Sequence, residues 1–274
     1  MANNPAFNRL EQDARKGYAG FGSAPAPQQA DPMSPQQLQD MYNAPSALRP
    51  GTDRAVTMDD VMMKTLGLFA LVLVTGTAGW LIAAANPSVG ALVWIGAMVA
   101  TLVLGLVIAF KKTLSVPLII GYALFEGLFV GAVSQFFDQR YPGIVVQAVL
   151  ATVATFAGML IAYKTGLIKV TAKFRRIMTM ALIGYAIFAL VNFVYAVATN
   201  TQFGIGGSGA LGIGISLFAV GLAAFTLALD FDSIDYAIRT GAPQKYSWLL
   251  AHGLIVTLVW LYIEFLRLLG RFRN

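Results

Sequence analysis

The 274-residue sequence contains no cysteine and a single histidine, His252. It therefore has no disulfide, no thiolate nucleophile and no cysteine-based metal centre. One histidine without cysteine also cannot build a structural zinc site or a Cys/His catalytic dyad. Since the chain shows neither a Ser/His pairing in a clear motif nor a double-Glu motif, we expect no enzyme activity and no bound cofactor.

Charged residues are scarce as well. They make up 12% of the chain, against roughly a quarter of an ordinary soluble domain. Hydrophobic residues make up 57%, and the mean hydropathy is +0.68. The net charge of +6 would suit nucleic acid only if Lys and Arg lined one groove or helix face. Here the cations lie between apolar runs, so we expect a lipid bilayer, and no nucleic acid, as the partner.

The first 56 residues differ from the rest. They are polar and rich in Pro, Gln, Ala and Asn, as in the run from Ala24 to Gln29. Such a composition buries too little apolar surface to order itself. We therefore predict a disordered N-terminal tail over 1–56, which could contact a protein partner, followed by a transmembrane domain over 57–274.

Long apolar runs fill the second part of the chain. Each is about 20 residues, enough to cross a hydrocarbon layer of roughly 30 Å as a helix. Turn-forming or charged residues separate them, such as Asn86-Pro87-Ser88 and Lys111-Lys112. We predict an all-α bundle of seven transmembrane helices, with six as the alternative. The spans are 62–85, 89–110, 114–137, 143–163, 177–198, 209–229 and 247–269.

The distribution of Lys and Arg predicts the orientation, because cationic loops tend to stay in the cytoplasm. With the N-terminus inside, 15 of these residues lie on the inner side and four on the outer side. We therefore expect a multi-pass protein of the plasma membrane with a cytoplasmic N-terminus. Three of the outer four, Arg267, Arg271 and Arg273, end the chain. A re-entrant or tilted last helix would relieve that conflict.

Four carboxylates stand out against this apolar background. Glu126 lies near the middle of the third span, where a charge costs about 2.5–3.5 kcal/mol or more. It is either a proton or cation site on an ion pathway or a protonated packing residue, and Gly127 and Gly131 beside it permit close helix approach. Asp230 and Asp232 end the sixth span, and two helical residues are rotated by about 200°, so at most one points inward.

Glu264 lies inside the last span, three residues before Arg267. The two could form an ordinary i,i+3 ion pair. His252 could titrate near neutral pH and modulate a nearby site, or it could be a hydrogen-bonded packing residue. Carboxylate ligation of a hard cation such as Ca²⁺ remains open, because oxygen donors suit that ion.

Three segments resemble the Bax inhibitor-1 (transmembrane Bax-inhibitor motif) family, in its bacterial branch. They are Phe125–Leu128, Leu229–Ile234 and Trp260–Leu269. The resemblance implies a bundle with a central last helix that acts as a pH-sensitive Ca²⁺ leak channel or exchanger. It also implies a proton-sensitive carboxylate pair between the sixth and seventh helices, here Asp230 or Asp232 with Glu264.

Helix length raises a difficulty for that pair. Glu264 lies about 24 Å along a helix from Trp248, whereas the aspartates lie at the cytoplasmic end. We therefore favour a last span that starts nearer Gly253, after an interfacial segment over 244–252. A basic residue also latches the pore in that family, and Lys111 and Lys112 are candidates by position only.

Function is thus expected to be cation leak or exchange, with protons and Ca²⁺ or another cation as the partners. The alternative is a membrane interaction protein that regulates a stress response or a membrane-bound protease through the N-terminal tail.

Overall fold

The computed structural model describes residues 54–111 and 113–274. Most of the predicted tail, and the candidate latch residue Lys112, therefore lie outside the described residues. Each of seven helices is long and apolar enough to cross a membrane, which confirms the predicted fold class. They are α1 (Met58–Ala85), α2 (Pro87–Phe110), α3 (Val116–Arg140), α4 (Ile144–Lys164), α5 (Ala172–Thr199), α6 (Ala210–Arg239) and α7 (Tyr246–Arg273).

Polar caps set the first helix boundaries. Thr57 and Asp60 form a capping box at the start of α1, in which each side chain bonds to the backbone N–H of the other residue. Asn86 separates α1 from α2, and its side chain accepts hydrogen bonds from the N–H groups of Ser88 and Val89. Pro87 follows at the first position of α2, where a missing N–H costs nothing.

Two helices extend beyond their predicted ends. α5 begins five residues earlier than predicted, at a Thr171 cap that accepts from the Phe174 N–H. α6 continues ten residues past 229 to Arg239. Apolar runs mark where side chains leave the hydrocarbon, whereas a helix can continue with polar residues. Asp230 and Asp232 therefore lie within a helix rather than at its end.

The last helix is the centre of the bundle. α7 packs against α1, α3, α4 and α6, and Leu261 and Leu266 on it are fully buried. Its 28 residues span about 42 Å without a break. The helix begins at Tyr246 and already buries Ser247 and His252, so most of the segment predicted as interfacial, 244–252, belongs to the same helix. A membrane span that starts nearer Gly253 stays a prediction.

Glycines on α3 allow the backbones of α1 and α3 to come into close contact. A Cβ on Gly131 would lie 1.9 Å from the carbonyl oxygen of Gly76, and one on Gly127 would lie 1.8 Å from Oγ1 of Thr75. Close approach of this kind drives helix association in lipid, where apolar burial gives little. The α1–α3 contact is accordingly the most extensive in the bundle.

The arginines that end the chain bind loop carbonyls. Arg271 donates to the carbonyl oxygens of Gly207 (2.7 Å) and Phe203 (3.1 Å) in the α5–α6 connection. Arg273 donates to the carbonyl of Pro142 (2.9 Å) in the α3–α4 connection. These bonds hold both guanidinium groups at that surface, although Nε of Arg271 is buried without a partner. The structure has a continuous last helix rather than a re-entrant one.

At the opposite surface, Arg54–Val56 contact the α6–α7 connection; we call these three residues the N-terminal strap. The Val56 N–H donates to Ala242 O (2.8 Å), and the Gln244 N–H donates to Arg54 O (2.7 Å). The sequence assigned the strap to the tail. Its backbone hydrogen bonds instead join it to the helical domain.

Replacing Gly131 by Ala should destabilise the bundle, because the new methyl group would overlap the Gly76 carbonyl. Overpacking of this kind costs about 1–3 kcal/mol. Gly121→Ala on the same helix is the matched control, since nothing lies within 4 Å of its Cβ position. Thermal unfolding in detergent micelles should show a lower midpoint for Gly131→Ala only. Equal midpoints for the two variants would contradict the proposed helix contact.

Candidate functional site

Glu126 is buried on α3, with 3% of its surface exposed. The hydroxyl of Tyr122, one helical turn earlier, donates to Glu126 Oε1 at 3.1 Å. The other carboxyl oxygen, Oε2, is buried without a hydrogen-bond partner. The Tyr122 ring packs edge-on against His252 of α7, with ring centroids 4.5 Å apart. Tyr122 therefore connects the Glu126 carboxyl to the central helix.

Asp230 approaches the central helix from the side of α6. A Cβ on Gly253 of α7 would lie 3.9 Å from Asp230 Oδ1, so the carboxyl lies against this residue of the central helix. The hydroxyl of Thr257, one turn further along α7, lies near this carboxyl and donates to the Gly253 carbonyl oxygen at 3.1 Å. The second oxygen, Oδ2, is buried without a hydrogen-bond partner. Asp230 thus resembles Glu126 in having one oxygen left unsatisfied.

The two carboxylates lie at similar depths in the bundle. Counted along their helices from the surface that carries the strap, Glu126 is about 15 Å and Asp230 about 14 Å deep. Their contacts on α7 are His252 and Gly253, which are adjacent in the chain. We call Glu126 and Asp230 the central-helix carboxylates. They flank α7 from two different helices in its strap-side half.

Asp232 faces a different neighbour. Its carboxylate pairs with Arg175 near the start of α5, and its side chain is 15% exposed. The two aspartates are rotated by about 200° on α6, so Asp230 is directed to α7 and Asp232 to α5. This assigns the inward position, which the sequence left open, to Asp230.

Glu264 belongs to a third environment. It is buried, with 3% exposed, and its Oε1 accepts from Trp260 Nε1 (3.1 Å), from Arg267 (3.4 Å) and from the hydroxyl of Tyr185 on α5. It lies 11 residues beyond Gly253, or about 16 Å further along α7.

The carboxylate pair implied by the family resemblance is therefore not formed in this structure. Glu264 is too far along α7 to reach Asp230 beside Gly253, and its carboxylate is already compensated by Arg267. The i,i+3 ion pair between these two residues, which the sequence held as the alternative, is present. The two central-helix carboxylates, Glu126 and Asp230, instead approach α7 from two different helices, α3 and α6.

Basic residues contact two of the four carboxylates: Arg175 binds Asp232 and Arg267 binds Glu264. Lys111, the described candidate for a basic latch, is the exposed cap at the end of α2. The sequence did not identify Arg175 as a carboxylate partner, because Asp232 is 57 residues away in the chain. Tyr122 and Trp260 could have been found, since each lies four residues before the glutamate it binds.

A family model described as Bax inhibitor 1 like matches residues 4–274, almost the whole chain. The chain belongs to the Bax inhibitor 1 like family. This confirms the resemblance that the sequence segments indicated, and with the seven apolar helices it establishes a multi-pass membrane protein in contact with lipid. The search of curated proteins found no match.

Family membership does not by itself give roles to the acidic residues of this Bax inhibitor 1 like protein. Among residues 54–111 and 113–274, no three acidic, histidine or cysteine side chains are grouped closely enough to hold a metal ion.

Replacing Glu264 by Gln should destabilise the bundle, because Arg267 loses its carboxylate partner. Loss of such a charged hydrogen bond costs about 1–3 kcal/mol. In an Arg267→Met background the same replacement should cost less, which a double-mutant cycle of unfolding free energies measures. Asp59→Asn, on the exposed first turn of α1, is the control and should change stability by less than about 0.5 kcal/mol. Additive effects of the two substitutions would refute the coupling.

Proposed function

We propose that this protein is a pH-sensitive cation leak channel or exchanger of the plasma membrane, with Ca²⁺ as the main ion. Protonation of the central-helix carboxylates controls the flux. One observation carries the proposal: two acidic side chains approach the same membrane-spanning helix, and each keeps a buried carboxyl oxygen without a partner. In this proposal the N-terminus is cytoplasmic, since cationic segments tend to stay in the cytoplasm.

An unpartnered carboxylate inside a membrane protein is costly, because burial removes the water that stabilises its charge. Two events lower that cost. The carboxyl can take up a proton and become neutral, or a cation can move next to it. Ca²⁺ suits the second event, since it prefers oxygen ligands and tolerates irregular geometry. Proton and cation therefore compete for the same oxygens.

The direction of the pH response follows from this competition. At acidic pH the central-helix carboxylates are protonated and no longer attract cations, so flux is low. As the pH rises they lose their protons and become charged, so flux rises. Thr257 contributes a hydroxyl near Asp230 that does not titrate in this range.

Asp232 and Glu264 have a structural role in this proposal. Their carboxylates are compensated by Arg175 and Arg267, and each also connects α5 to the bundle. Arg175 ties the start of α5 to α6, and Tyr185 ties its middle to α7. Since α6 is the helix against which the α5 backbone packs, these side chains help to hold α5 in place.

Flux measurements should separate the two pairs of carboxylates. In liposomes loaded with Ca²⁺, the unaltered protein should release more ion at neutral than at acidic pH. Asp230→Asn and Glu126→Gln each fix one site in a neutral form, so flux at neutral pH should fall about tenfold, as a loss of about 1.4 kcal/mol of ion stabilisation would produce. The pH dependence should become correspondingly flatter.

Asp232→Asn and Glu264→Gln are the matched controls, since each also neutralises one carboxyl without changing its size. Both should retain the pH midpoint of flux. Equal release from empty vesicles and from vesicles containing the unaltered protein would end the channel proposal. A pH response abolished by Asp232→Asn but kept by Asp230→Asn would overturn the assignment of the site.

We propose as a second candidate a membrane interaction protein that regulates a stress response or a membrane-bound protease through the N-terminal tail. The strap supports this, because it joins the tail to the connection between α6 and α7. Those two helices carry Asp230 and its contacts. A partner that pulls on the tail would therefore act on the helices around the candidate site.

Deleting residues 1–50 should discriminate between the candidates. The deletion keeps Arg54 and the strap hydrogen bonds, so a channel should keep its Ca²⁺ flux and pH response in liposomes. A regulator that works through the tail should lose its effect in cells. Deleting residues 1–56 also removes the strap, and thermal unfolding should then show a less stable bundle. Loss of flux on removing only 1–50 would contradict a channel that functions without the tail.

A further inference from the structure

A large groove opens between α1 and α4. Within the described residues, α1 packs against α2, α3, α6 and α7, and α4 packs against α3, α6 and α7, which leaves α1 and α4 apart. The groove has a volume of about 1240 Å³. Along α1 it extends from Met58 to Trp80, about 33 Å. It therefore runs across most of the hydrocarbon layer, which is about 30 Å thick.

Apolar side chains line most of the groove. Leu73 of α1 and Val149 and Val153 of α4 form part of its walls, each more than 40% exposed. Leu254 and Leu258 of the central helix lie at its floor. Neither central-helix carboxylate lines it. A channel for ions would need polar walls, whereas walls of this kind suit a hydrocarbon chain.

The charged lining residues gather at one end of the groove. These are Lys164, Lys169, Asp232, Asp235 and Arg239, and they lie at the surface that carries the strap. The far end, by Trp80 and Val145, has no charged lining residue among those described. The groove is therefore apolar along its length and charged only where it meets the membrane surface.

Both carboxylates at the charged end already have partners. Asp232 pairs with Arg175, and Asp235 accepts a hydrogen bond from the Tyr163 hydroxyl at 2.9 Å. The cations that line this end are Lys164, Lys169 and Arg239, with Arg175 beside them. Four cations face two carboxylates, so the end of the groove keeps a positive charge that an anion would balance.

We propose that the groove binds one anionic phospholipid from the leaflet on the strap side. Its acyl chains lie between α1 and α4, and its phosphate and headgroup contact Lys164, Lys169 and Arg239. Basic pockets between transmembrane helices bind anionic headgroups in this way. A zwitterionic lipid fits the apolar walls equally well but leaves the positive charge unbalanced, so the groove selects for net negative charge.

The test uses the purified full-length protein in neutral detergent micelles. Phosphatidylglycerol or phosphatidylcholine is titrated in, and bound lipid is counted by native mass spectrometry while the melting temperature is followed. Phosphatidylglycerol should be retained at one copy per chain and should raise the melting temperature. Lys164→Ala with Lys169→Ala should weaken its binding about tenfold or more, given roughly 1 kcal/mol for each basic residue near an anionic headgroup.

Lys173→Ala with Arg176→Ala is the matched control, since it also removes two exposed cations nearby, from the first turns of α5, without touching the groove lining. This pair should leave binding within about twofold, as expected for charges that contribute well under 1 kcal/mol. Val149→Trp with Val153→Trp keeps every charge but fills the groove, and it should also abolish retention. Leu190→Trp, on the exposed face of α5, controls for added bulk.

Three results would overturn the proposal. The first is phosphatidylcholine binding as tight as that of phosphatidylglycerol. The second is an equal loss of binding in the two double-Ala variants. The third is a protein that dissociates from dimer to monomer on Val149→Trp with Val153→Trp, because a second copy of the chain would then occupy the groove.

Discussion

Within the bilayer, every polar group of this protein must find its partner in the protein itself, because no water is available to it. The central helix depends on this constraint most directly. α7 is surrounded by α1, α3, α4 and α6. It carries five of the ten polar or charged side chains that are buried among the described residues: Ser247, His252, Thr257, Glu264 and Arg271. Where those side chains are satisfied, they hold helices together. Among the buried carboxyl groups of the described residues, Glu126 Oε2 and Asp230 Oδ2 lack such a partner.

The two halves of α7 differ accordingly. Toward the strap, His252, Gly253 and Thr257 present small or weakly polar groups to the central-helix carboxylates. In the other half, Glu264 receives three donors, and Arg271 binds backbone carbonyls of the α5–α6 connection. These hydrogen bonds and the ion pair tie the second half of α7 to α5 and to the α5–α6 connection.

The amino-acid sequence predicted the fold almost completely, because each span can be recognised by its length and hydropathy alone. It predicted the start of α5 and the end of α6 less well, because polar residues extend each helix beyond its apolar run. Local spacing reveals partners such as Tyr122 and Trp260, which share a helix face with Glu126 and Glu264. Arg175 and Tyr185 reach their carboxylates across helices, and such contacts depend on packing that no single segment encodes.

The end of α6 connects the features that the sequence treated separately. Asp230 is directed to the central helix, while Asp232, two residues on, pairs with Arg175 and lines the charged end of the groove. Helix geometry requires this division, since side chains two residues apart leave a helix in nearly opposite directions. The same short segment of α6 therefore supplies one carboxyl to the central helix and another to the charged end of the groove.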